Sequence, residues 1–325
     1  MHPAFSVIFL TTLIGVGQGL FLALFTGQSY SAVELVPTQD SATFYGLGGI
    51  IAFMFLVGGL IASVFHLGRP ERAWRAAAMW RTSWLSREVI VLPAAIALVF
   101  VYSLMHYFGW DIVLYTSKTG ITLQLSLIVG TLGAIATFSL FICTSMIYAT
   151  IKFLQEWACA LTVVNYLLLG TASGFTLAAA FASANAPELL GLYGNWAIII
   201  TAFAFFTRGG SLIRNSRIKA KSTLQTAIGI RHTKIQQKAM GMQGGSMNTR
   251  DFFHHKTAAF MKIIKWSFMI LVFPLPIILL WAGMNAESTS VLLGAFIIQY
   301  VGLIAERWFF FAQANHPQNL YYQTT

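Results

Sequence analysis

The sequence predicts an all-α fold, a polytopic membrane helix bundle of about eight transmembrane helices, and three observations carry that prediction. Hydrophobic residues make up 57% of the 325 positions and charged residues only 9%, too little polar surface to cover a soluble globule. Apolar runs of about 20 residues, the length that crosses roughly 30 Å of hydrocarbon, recur along the whole chain. Basic residues fall almost entirely in alternate connections, as the positive-inside rule requires. In this setting the formal charge of +10 reports topology first, and no nucleic-acid partner is expected. Residues 1–325 read as a single membrane domain with a long basic loop at about 208–262.

Taken in order, the apolar runs fall at about 4–26, 44–66, 88–108, 120–147, 157–181, 190–207, 263–283 and 289–311. The segment MHPAFSVIFL lacks a basic leader and a small-residue cleavage site, so the first run reads as a retained helix. Gly15, Gly17 and Gly19 flank Gln18 in that run and point to close helix packing. The sixth run, GLYGNWAIIITAFAFF, is short and starts at two glycines, which makes it the weakest of the set. Pro274 and Pro276 should kink the seventh helix.

Even-numbered connections, with Arg307 at the end of the last run, hold 19 of the 20 lysines and arginines, and Lys118 stands alone in an odd one. Both termini and the connections at 66–88 and 208–262 are therefore expected in the cytoplasm, with the chain in the inner membrane. The longer of these connections mixes Leu224, Ile228, Ile230, Ile235 and Met240 with its basic residues. It reads either as a solvated basic face or as a docking platform for a soluble partner. His254, His255 and Asp251 lie close in sequence, but adjacent histidines diverge from most backbones, and no metal site is expected.

The connection His66–Glu88 is the densest chemistry in the first half, with five arginines, two glutamates, three tryptophans and a histidine in HLGRPERAWRAAAMWRTSWLSRE. Its tryptophans have the amphipathic faces found at membrane–water interfaces. Cys143 and Cys159 lack the spacing of a zinc or iron–sulfur site. A b-type haem needs paired axial histidines at membrane depth, whereas His66 and His106 lie near opposite ends of helices two and three. Neither haem nor an iron–sulfur cluster is expected in this chain.

The segment HLGRPERAWRAAAMWRTSWLSREV resembles the signature loop of the DmsC family, the membrane anchor subunits of three-subunit molybdenum oxidoreductases. There HLG, a following arginine and an S-x-L-S-x-E ending recur. STLQTAIGIRH, GGSMNTRDFFHH and the ending ERWFFFAQANHPQNLYYQ are similar to the longer, SoeC-type branch, which includes the anchors of quinone-linked sulfite dehydrogenases. The resemblance implies a molybdopterin catalytic subunit and an iron–sulfur subunit as partners, and electron exchange between the latter and membrane quinone of either type. It also associates the histidine of HLG, the downstream arginine and the glutamate of the S-x-L-S-x-E ending with the quinone site.

A chain with no redox cofactor of its own must bind quinone on the side of the partner's last cluster. His66, Glu88 and Glu306–Arg307 all lie near the basic side, so they are expected at one interface. His66 is assigned as donor to one quinone carbonyl, Arg72 as a fixed donor to developing negative charge, and Glu88 as a proton conduit or orienting partner. The candidate quinone site comprises His66, Gly68, Arg72, Trp74, Arg87, Glu88, Glu306 and Arg307, with His66 and Glu88 handling protons. Plainer readings stand beside these: an interfacial histidine, tryptophan anchors and an intramembrane ion pair. A transporter should show repeated halves, which are not evident, and an NrfD-like proton pump should string carboxylates through the bilayer. The spans hold only Glu88 and Glu306, both near one surface. An anchor that oxidises quinol for a sulfoxide reductase is the alternative of the same class.

Overall fold

The computed structural model describes residues 1–116, 122–239 and 251–321. Lys118, Met240, Arg250 and the GGSMNT stretch lie outside the described residues. Among those described, eight helices are long and apolar enough to cross a membrane, and the chain is a multi-pass membrane protein. They are α1 (Phe5–Ala32), a π-helical turn Ser41–Gly46 running into α2 (Leu47–Val64), α3 (Trp84–Phe108), α4 (Leu125–Ala149), α5 (Ala160–Asn185) and α6 (Leu190–Ser216), followed by a short loop helix α7 (Leu224–Ile228). The seventh crossing is split into α8 (Ala258–Val272) and α9 (Pro274–Asn285), and α10 (Thr289–Ala312) completes the bundle.

Helix α1 lies at the centre, with 83% of its apolar window buried against 28% for the second span. The reason is legible in its glycines. A Cβ at Gly19 would sit 2.3 Å from the Gly170 carbonyl oxygen, and one at Gly174 would sit 2.0 Å from the Gly19 carbonyl carbon. Backbone thus meets backbone between α1 and α5, the close approach that drives helix association where lipid removes the hydrophobic incentive. Gln18 donates from Nε2 to the Thr137 carbonyl of α4 at 3.1 Å, so its amide ties α1 to a third helix.

Two boundaries differ from the sequence expectation. The sixth span runs Pro187–Ser216, the longest of the eight at 30 residues, so Arg208 and Arg214 are helical. Helix α8 starts at Ala258 and takes in Lys262 and Lys265, which reduces the polar connection from 208–262 to 217–257. The proline pair acts as expected: Phe273 leaves helical geometry at φ −112°, ψ −81°, and Pro274 starts a new helix because its ring removes a donor and clashes with the preceding turn.

On the face opposite the basic connections, a two-stranded antiparallel hairpin, β1 (Val113–Thr116) and β2 (Thr122–Gln124), joins α3 to α4. The Asp111 carboxylate beside it accepts from the Ser126 backbone N–H at 3.0 Å and hydroxyl at 2.6 Å, capping the start of α4.

Candidate functional site

The 66–88 connection is built from the membrane outward. Helix α2 ends at Val64, and Pro70, with its φ preset, opens a 3-10 helix Pro70–Met79 that buries no residue of its own. His66, Gly68 and Arg72 are exposed, Arg72 stands 3.8 Å from Glu71, and Trp74 is 71% exposed. Arginine stacks on tryptophan three times: Arg75 on Trp74 at 5.5 Å, Arg81 on Trp80 at 5.4 Å and Arg87 on Trp84 at 4.2 Å. Arg87 also donates to the carbonyls of Trp80 and Arg81, each at 2.9 Å, so it fastens the connection to the first turn of α3. Ser83 caps that turn by accepting from the Ser86 N–H at 3.3 Å. Partial desolvation holds the His66 imidazole below the ordinary histidine pKa, favouring the neutral ring.

An apolar groove of about 370 Å³ lies between α1 and α2 at the same level. Ser6, Phe9 and Leu13 form one wall and Gly58, Ile61, Ala62 and Phe65 the other. The groove ends at Phe65, the neighbour of His66 in sequence and 81% exposed.

A second cluster is buried roughly 6–12 Å, four to eight residues at 1.5 Å rise, from the same helix ends. Glu88 is 7% exposed and accepts from Thr144 Oγ1 at 2.5 Å. Glu306 pairs through Oε1 with Arg208 Nε at 2.7 Å and through Oε2 with Arg307 Nη1 at 3.4 Å, all three side chains being at most 5% exposed. The Arg307 guanidinium lies 3.6 Å from the centre of the Tyr166 ring. Between Thr144 and Arg307 is a cavity of about 10 Å³, which Thr11, Thr12, Gln18 and Tyr166 also line. Removing several charges from water costs several kcal/mol each unless they are paired, so such a cluster is a functional candidate by default.

The single interface expected from sequence is therefore resolved into two neighbouring places. His66, Gly68, Arg72 and Trp74 stay in the exposed connection that follows Phe65 and line no part of the groove, whereas Glu88, Glu306 and Arg307 are buried beneath that connection. Helix α1 stands between them, turning Phe9 and Leu13 to the groove and Thr11, Thr12 and Gln18 to the cavity. Among the described residues no hydrogen bond or ion pair joins His66 to Glu88 or Glu306. Sequence reasoning places Arg208 in a loop and misses it as part of the cluster. Its signal is the apolar sequence on both sides, TAFAFFT before it and Leu212–Ile213 after it.

His106 lies in the last turn of α3, at the opposite end of the bundle from His66. Its Nδ1 is 2.7 Å from Ser41 Oγ, and its ring packs against Tyr45 and Tyr102. No group of three or more His, Cys, Asp or Glu side chains that could hold a metal occurs among the described residues.

Eight spanning helices, an arginine–tryptophan connection and a charge cluster buried beneath it on the same face define an integral membrane subunit with one chemically specialised side. The chain belongs to the DmsC family, whose model, described as DMSO reductase anchor subunit (DmsC), matches residues 1–321. It is a membrane anchor subunit of an oxidoreductase complex of the DMSO-reductase type. It is 53% identical over 324 residues to a subunit of the sulfite dehydrogenase of Allochromatium vinosum, covering 100% of this chain and 99% of that protein.

Proposed function

We propose that this chain is the quinone-reactive anchor of a complex of three subunits, passing electrons from sulfite oxidation at a molybdopterin subunit, through an iron–sulfur subunit, to membrane quinone. The observation that carries the reading is the groove between α1 and α2, apolar along its length and ending at Phe65, the residue before His66. Such a groove suits an isoprenoid tail and a flat ring, and the donors of the connection that follows Phe65 suit a ring carbonyl. When bound, quinone supplies a two-electron, two-proton acceptor.

The residues of this chain then have distinct tasks. His66, neutral at pH 7, offers an N–H to one carbonyl, and Arg72 provides a fixed positive charge beside it. Phe65 and the α1 wall exclude water from the ring. Glu88 takes up and passes on a proton beneath the mouth, while Arg87 and the stacked tryptophans keep the connection in place. Glu306 and Arg307 act behind Glu88 rather than on the quinone.

The basic asymmetry supports an inner-membrane location with the 66–88 and 217–257 connections in the cytoplasm, facing the partners. In the latter, Ile228 and Ile230 are exposed among basic side chains, a mixture suited to docking the iron–sulfur subunit. The basic residues at both connections also face lipid head groups. Sulfite-dependent reduction of a quinone analogue by the purified complex tests the function. Quinol oxidation coupled to sulfoxide, with no activity on sulfite, would replace it with the reductase reading.

A further inference from the structure

Thr144 touches both halves of the buried cluster. Its hydroxyl donates to Glu88 at 2.5 Å, and the same residue lines the cavity that Arg307 reaches from the other side. With about 10 Å³ available, that cavity holds about one water. Thr11, Thr12, Gln18 and Tyr166 also line the cavity, so a water there has further polar neighbours.

The charges demand a connection. Arg208 and Arg307 bring two positive charges and Glu306 one negative, and the sum reaches zero only when Glu88 is ionised. A protonated Glu88 leaves one positive charge uncompensated in a medium that solvates it poorly.

We propose that Thr144 is a positioning residue that couples Glu88 to Arg307 through a single water in this cavity, so that the four charges respond as one unit. Arg307 donates to the water, the water donates to Thr144 Oγ1, and the Thr144 hydroxyl donates to the Glu88 carboxylate. Every donor in the chain is directed towards the Glu88 carboxylate; no bond is broken in establishing it. Valine at this position keeps the shape and removes both the donor and the acceptor, whereas serine keeps them. The functional consequence rests on the proposed role of Glu88 in the quinone reaction; the coupling itself does not.

The test uses the assembled complex carrying Thr144→Val, Thr144→Ser, Arg307→Lys or Glu88→Gln. In infrared spectra, the carboxylate band that disappears in Glu88→Gln should shift in Thr144→Val and Arg307→Lys and return to its original position in Thr144→Ser. Quinone-coupled kcat should fall about tenfold in Thr144→Val with KM unchanged and recover in Thr144→Ser. An unmoved band in Thr144→Val overturns the coupling whatever the turnover. Unchanged kcat in Thr144→Val beside an impaired Glu88→Gln overturns the positioning role, as does a serine variant no better than valine. Full quinone-coupled turnover in Glu88→Gln instead sinks the quinone role of Glu88, and the band shift then still decides the coupling.

Discussion

Arg208 of α6 and Glu306 of α10 meet at 2.7 Å with side chains each 1% exposed, and Arg307 approaches the other carboxylate oxygen at 3.4 Å. Removing one member of a buried pair leaves the other charge without its counterion, at a cost of about 3–5 kcal/mol. Glu306→Gln takes the directly paired carboxylate from both arginines, whereas Arg208→Gln leaves Glu306 paired with Arg307. Thermal unfolding of the detergent-solubilised complex should therefore show Glu306→Gln as the more destabilised variant. The reverse order would show that Arg307 does not share the carboxylate.

His66→Ala and Glu88→Gln should leave the complex assembled and active with a soluble acceptor that takes electrons at the catalytic subunit. Quinone-coupled turnover should fall by about 100-fold, the ordinary scale of a lost acid–base group. Equal loss of both activities would remove both residues from the quinone reaction.

The pH profile separates the two residues. Desolvation lowers the His66 pKa, so the neutral imidazole favoured by the site is fully present above the ordinary histidine value of about 6.5. It is lost only as pH falls through the lower folded-state value. Quinone-coupled turnover should hence decline on the acid side below about 6.5. In His66→Asn, which retains a donor that does not titrate, that decline should vanish while a lower plateau remains. An unchanged acid limb would assign it to another group.

Gly58 gives the α1–α2 groove its depth: a Cβ there would be in ordinary contact with Leu13 Cδ1 at 3.7 Å, and anything longer enters the groove. Gly58→Leu is compatible with a helix and fills that volume. KM for a long-tailed quinone should rise several-fold, roughly 1 kcal/mol in binding, with soluble-acceptor activity unaltered. A variant with unchanged KM would place the tail elsewhere.

Topology is open to a direct measurement. Ala239 is exposed in the basic connection, so Ala239→Cys in a Cys159→Ser background offers one reachable thiol, the other cysteine, Cys143, being buried. A membrane-impermeant maleimide should fail to label it in intact cells and should label it in inverted vesicles. Labelling from outside would put the docking face in the other compartment and remove the basis for a cytoplasmic partner.

The sequence by itself determined the class of fold, the eight spans, the basic asymmetry, the proline break at Phe273 and the close packing around Gly19. Each depends on local composition: a run of apolar residues must form a helix in lipid to satisfy its own backbone, and a proline interrupts it wherever it stands. The family resemblance carried by HLGRPERAW and SWLSRE was likewise a matter of local order, and the matching family model spans the chain. Tertiary structure alone decided which polar side chains share a cavity. An arginine in an apolar run looks like the end of a helix until a carboxylate from a distant helix neutralises it; Glu306 does this for Arg208, so α6 continues to Ser216. Glu88 and His66 are close to the same surface in sequence terms, yet the rotation of α3 turns Glu88 inward to Thr144 while His66 remains outside the end of α2. Rotation about a helix axis is set by packing against neighbours far away in the chain, and no local pattern of residues records it.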